Sequence, residues 1–75
     1  MFGQKSMKEY VAEFRSYPGM TDKEAEILAM IQYSPRFAES TCVLEKGMSK
    51  EEFSEIRKSG IHKYKTGGGT EYWRF

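Results

Sequence analysis

Residues 61–75 read IHKYKTGGGTEYWRF, in which apolar and charged residues alternate on both sides of three consecutive glycines. Alternation with a period of two is typical of a half-buried β-strand, whereas an amphipathic helix repeats every 3.6 residues. Two such runs around a glycine-rich loop predict a β-hairpin. We therefore expect the chain to end in a hairpin whose loop is residues 67–69.

The hairpin divides its side chains between two faces. Pairing across the glycines places Tyr64 opposite Tyr72 and Ile61 opposite Phe75. The core side then holds Ile61, Trp73 and Phe75, and the outward side holds His62, Tyr64, Tyr72 and Arg74. The outward tyrosines either stabilise the hairpin by cross-strand contact or stack on unpaired bases.

Upstream of the hairpin the sequence predicts helices. A Ser or Thr followed three residues later by Glu forms a capping box, and this pattern marks helix starts at Ser6, Thr21 and Ser49. The spacing of apolar residues after the first two boxes predicts one helix over about 7–16 and another that ends near Tyr33.

A further short helix is predicted between the second and third boxes. Ser34 is a candidate N-cap and Pro35 suits the first helical position, where its missing N–H costs nothing. Gly47 is expected to end this helix in the left-handed conformation. Met48, just before the Ser49 cap, is expected to pack on Phe53 as a hydrophobic staple.

Size and composition restrict the class of protein. Seventy-five residues suit a single small domain over residues 1–75, and 39% hydrophobic with 31% charged residues is too apolar for a disordered tail. No apolar run approaches the roughly 20 residues of a membrane span, and the N-terminus lacks the pattern of a signal peptide. We expect a cytoplasmic protein with no membrane partner.

Charge is distributed unevenly along the chain. Residues 57–75 hold five Lys or Arg against one Glu, whereas residues 1–56 hold seven against ten acidic residues. A basic C-terminal part in a chain of net charge +1 suggests a polyanion partner.

The order of these elements resembles the winged helix-turn-helix family of DNA-binding domains. The similar part covers residues 21–75: helices, a tight turn at KGMS, the helix KEEFSEIRK and a basic hairpin with a glycine tip. The resemblance implies a mainly α fold of three to four short helices plus a C-terminal β-hairpin wing. It also implies a recognition helix at 50–58, a wing at 61–75 and double-stranded DNA as the partner.

Candidate nucleic-acid-binding residues follow from the helix and the hairpin. Lys50, Ser54 and Lys58 share a stripe through their four-residue spacing, and Arg57 suits contact with guanine. The side-chain-free loop can approach phosphates closely, although lysines there also suit a solvated edge strand. The full set is Lys50, Ser54, Arg57, Lys58, His62, Lys63, Lys65, Thr66, Gly68 and Arg74.

Enzyme chemistry has no recognisable motif in this sequence. The single His62 and the single Cys42 stand in different elements, and no nucleophile–base, carboxylate or zinc-ligand pattern surrounds them. We therefore expect no catalytic residue, cofactor, metal or small-molecule substrate.

Two functions remain open. The first is a small DNA-binding protein, either a transcriptional regulator or an accessory factor of a phage or mobile element. The second is a protein-interaction module on the same scaffold that binds or inhibits a host protein. Glu51 and Glu55 on the expected recognition helix, and a pI near 7.8, favour the second. The helix at 7–16 either completes the core of its own chain or pairs two copies in a homodimer.

Overall fold

The computed structural model describes residues 6–69, which form four helices. These are α1 (Met7–Arg15), α2 (Asp22–Tyr33), α3 (Ala38–Glu45) and α4 (Lys50–Thr66). No strand occurs within residues 6–69. In this part of the chain no helix is both long and apolar enough to cross a membrane.

The predicted starts of α1 and α2 are confirmed. The Thr21 hydroxyl accepts a hydrogen bond from the Glu24 backbone N–H at 3.2 Å, and Glu24 Oε1 accepts one from the Thr21 N–H at 2.9 Å. The same reciprocal pair joins Ser6 and Glu9. Each box satisfies two backbone donors that the first helical turn leaves without partners.

The helix that precedes the tight turn begins later than expected. Ser34 is the C-cap of α2 rather than an N-cap, and Phe37 caps α3 without a side-chain hydrogen bond. The end of α3 is as predicted, because Gly47 has a φ of 67°. Met48 and Phe53 then meet in one buried cluster, as the staple requires.

The predicted β-hairpin is wrong within residues 61–69, the part of it that the structure describes. The predicted winged helix-turn-helix fold, which requires this hairpin, is therefore wrong as well. Residues 61–66 continue α4, which ends at Thr66. Phe53, Gly60 and Tyr64 are all buried, at the spacing of one helical face. Residues 61–66 therefore fit a helical period as well as a period of two, and packing against the rest of the fold favours the helix. The second half of the hairpin, including Trp73, lies outside the described residues.

Two buried clusters on opposite sides of α2 form the core. One contains Phe14, Ala25, Leu28, Ala29 and Tyr64, so α1 packs in cis against α2 and the end of α4. The other contains Ile27, Ile31, Ala38, Cys42, Met48 and Phe53, and it joins α2 to α3 and the start of α4. The central position of α2 explains why its apolar residues surround almost the whole helix.

Helix α4 packs tightly against α2 at Gly60. A Cβ atom at this position would lie 3.1 Å from Leu28 Cδ1 and 3.4 Å from Glu24 Cβ. Glycine is therefore a contact residue here, and α4 continues through it to Thr66.

Candidate nucleic-acid interface

Six of the expected site residues lie on one exposed side of α4. Successive residues of a helix rotate by about 100°, so these positions fall within an arc of about 140°. We call this set the basic face: Lys50, Ser54, Arg57, Lys58, His62 and Lys65. Each is exposed or half-buried, and the buried Phe53, Gly60 and Tyr64 lie on the adjacent side of α4, next to Arg57.

The basic face extends along nearly the whole length of α4. From Lys50 to Lys65 the helix rises about 22 Å at 1.5 Å per residue. The resemblance placed His62 and Lys65 on a separate hairpin strand. Because α4 continues to Thr66, they instead extend the row that begins at Lys50.

All three lysines on the basic face keep their charge available to solvent. Within residues 6–69, Lys50, Lys58 and Lys65 form no ion pair. Lys46, by contrast, lies 3.4 Å from Glu26, and Lys23 lies 3.8 Å from Glu52. Helix α4 therefore directs positive charge to solvent mainly from the basic face.

Two acidic residues lie at one side of the basic face. Glu51 is exposed and falls between Lys58 and His62 around the helix, and the exposed Glu55 lies just beyond His62. Glu52 lies further round and faces Lys23 of α2. The positive potential is therefore strongest along the side nearer to α3.

Lys63 has a different role from the one expected. Its Nζ lies 2.9 Å from Glu24 Oε1 and 3.0 Å from Glu24 Oε2, and Glu24 is only 6% exposed. The Ser59 hydroxyl also donates to Glu24 Oε2 at 2.6 Å. Lys63 is therefore committed to the interior contact between α2 and α4.

The Glu24 carboxylate is held in its charged form. Burial raises its pKa, but hydrogen bonds from Ser59, from the Thr21 N–H and from Lys63, together with the Lys63 charge, lower the pKa to about 2. Sequence reasoning explained Glu24 only as a capping residue, and nothing in the first turn of α2, which also holds Asp22, singled it out as buried.

The remaining expected residues do not join the row. The Thr66 hydroxyl donates to the His62 carbonyl at 3.0 Å and so lies at the C-terminal end of α4. Gly68 follows the helix with a φ of 97°. Arg74 lies outside the described residues.

One part of the surface was missed by sequence reasoning. Two adjoining depressions of about 350 and 260 Å³ lie between α3 and α4, and both include Glu39 and Lys50. Arg36 lines the first and Arg57 lines the second. We call this the α3–α4 groove.

The buried thiol of Cys42 is not an activated nucleophile. Burial raises its pKa, which the nearby Lys46 lowers and Glu26 raises, and its Sγ lies 3.8 Å from Met30 Sδ. The thiol therefore stays protonated at neutral pH. In the described part of the chain no group of His, Cys, Asp and Glu is arranged to hold a metal ion.

Comparisons with protein-family models, curated proteins and solved structures found no match for this chain. The properties of its own residues are therefore the basis for inferring its function. Among those properties, the positive charge on the basic face indicates a class of ligand, namely an anionic one.

Proposed function

We propose that the protein binds DNA by contacting phosphates through the basic face of α4. The observation that supports this is the row of Lys50, Arg57, Lys58 and Lys65 along about 22 Å of one helix side. Three of these four cations lack an ion pair in the described structure. Duplex DNA presents a phosphate charge about every 1.7 Å of its axis, so a row of this length meets several phosphates.

The number of cations sets the expected salt dependence. Each neutralised phosphate releases counterions, and log K falls with log salt at a slope of about −0.9 per phosphate on duplex DNA. Four contacts give a slope of about −3.6. Raising the salt from about 50 to 200 mM then weakens binding on the order of 100-fold.

The test is a titration of a fluorescein-labelled 20-base-pair duplex followed by anisotropy at these two salt concentrations. The double variant Lys58→Gln with Lys65→Gln is expected to bind more weakly and to reduce the slope by about 1.8. The matched control is Lys8→Gln with Lys46→Gln, which removes two exposed charges outside α4 and should keep the full slope. Absence of binding at 50 mM salt, or equal behaviour of the two double variants, contradicts the proposal.

A protein partner is the second candidate. The exposed Glu51 and Glu55 beside the basic face favour it, because they would repel a polyanion that covered the whole exposed side of α4. A protein partner predicts a weak dependence on salt. It also predicts that Glu51→Gln with Glu55→Gln weakens binding, whereas on DNA the same variant should bind more tightly.

A further inference from the structure

Three large hydrophobic side chains are left exposed around α3. Leu44 is 80% exposed, Phe37 is 62% exposed and Tyr33, at the end of α2, is 47% exposed. Phe37 and Leu44 are seven residues apart, which places them on one side of the helix about 10 Å apart along its axis. We call Phe37 and Leu44 the apolar strip, and neither has a partner in the described part of the chain that covers it.

Positive charge lines one edge of this strip. Arg36 precedes Phe37 and shares the α3–α4 groove with Leu44 and Lys50. Within residues 6–69, Arg36 and Lys50 form no ion pair. Glu39 is the one acidic residue lining the groove, against the cations of Arg36, Lys50 and Arg57.

We propose that this surface binds unpaired bases, so that the protein prefers single-stranded DNA to fully paired DNA. Phe37 and Leu44 cover the faces of the bases, and Arg36 and Lys50 contact the phosphates that join them. Aromatic side chains beside a cationic groove are the usual means by which proteins bind single strands. This inference rests on the proposed function, because it extends the same DNA-binding surface.

Continuity with the basic face favours DNA over a protein as the occupant. Lys50 and Arg57 belong both to the groove and to the basic face, so one strand can follow the groove and reach the row on α4. About 10 Å between Phe37 and Leu44 corresponds to about three stacked nucleotides at 3.4 Å each. In a duplex the base faces are covered by neighbouring pairs, and the apolar strip would then remain uncovered.

The test compares a labelled 20-nucleotide single strand without self-complementarity with the duplex of the same sequence, by anisotropy at about 100 mM salt. The wild-type protein is expected to bind the single strand at least about 10-fold more tightly than the duplex. Phe37→Ala with Leu44→Ala should remove this preference and leave duplex affinity unchanged. Phe37→Trp with native Leu44 should retain it, because the indole ring also stacks on bases.

Three other outcomes would each overturn the inference. Duplex binding with the expected salt slope but no preference for the single strand overturns this inference and leaves the proposed function standing. An unchanged single-strand affinity in the Phe37→Ala, Leu44→Ala variant also overturns it. No binding of either DNA at 50 mM salt overturns both proposals. Circular dichroism of the double variant confirms that these two exposed substitutions leave the helices intact.

Discussion

Lys63 Nζ lies 2.9 and 3.0 Å from the two carboxylate oxygens of Glu24 and joins the last turns of α4 to the first turn of α2. The same carboxylate accepts hydrogen bonds from the Thr21 N–H and the Ser59 hydroxyl. One buried acid therefore caps α2 and fixes the position of α4. The helical conformation of residues 61–66 depends on this contact and on the packing of Tyr64.

Replacing Lys63 by Met is expected to lower the free energy of unfolding by about 2 kcal/mol. Removal of one partner leaves a buried carboxylate without its counter-charge, which costs about 3–5 kcal/mol in a fully buried pair. The Lys63 side chain is 30% exposed, and water therefore reduces this cost. Urea denaturation measures the change, and Lys65→Met on the exposed side should change it by less than about 0.5 kcal/mol. Equal effects of the two variants would show that the ion pair contributes little.

Stability should fall in acid through Glu24. The folded protein holds this carboxyl at a pKa of about 2, below its ordinary value of 4.5. A lowered folded-state pKa stabilises the fold above pH 4.5, and that contribution, about 3 kcal/mol, is lost as the pH falls toward 2. Urea denaturation between pH 6 and pH 2.5 should show Glu24→Gln less stable at pH 6, with the difference narrowing in acid. The exposed Glu51→Gln is the control, and a constant difference for Glu24→Gln across this range would contradict the assignment.

Helix starts were predictable from the sequence because the contacts that fix them are local. Ser6 with Glu9 and Thr21 with Glu24 are three residues apart, and both boxes form as expected. The end of α4 was not predictable in the same way. The Tyr64 ring lies 5.9 Å from that of Phe14 and 4.9 Å from that of Tyr17, so distant residues decide between a strand and a helix.

The candidate site was predictable in part for the same reason. Lys50, Ser54 and Lys58 share one side of any helix that spans them, wherever that helix ends. The apolar strip beside the α3–α4 groove was not foreseen, because the exposure of Phe37 and Leu44 depends on which side of α3 packs on the core. Ala38 and Cys42 take the buried side, and the two larger residues are left in solvent.

Gly60→Val is expected to destabilise the protein by about 2–3 kcal/mol. Even a single Cβ atom at this position would lie 3.1 Å from Leu28 Cδ1, and the branched side chain adds two methyl groups in the same narrow space. Gly60→Ala should change stability much less, because the better helix propensity of alanine, about 1 kcal/mol, offsets the tight contact. Thermal unfolding measures both, with the exposed Lys58→Val as control. A small effect of Gly60→Val would mean that α2 and α4 separate easily.

Lys63 and Lys65 should differ in DNA binding although they are two residues apart. The charge of Lys63 is neutralised by Glu24 inside the protein, whereas Lys65 is exposed on the basic face and forms no ion pair within residues 6–69. Lys65→Gln is therefore expected to reduce the salt slope on the 20-base-pair duplex by about 0.9, and Lys63→Gln to leave it unchanged.

The measurement uses anisotropy at a temperature where urea denaturation shows both variants fully folded. A reduced slope for folded Lys63→Gln would mean that Lys63 leaves Glu24 to contact a phosphate. Equal slopes for wild type and Lys65→Gln would instead remove the C-terminal end of the basic face from the interface.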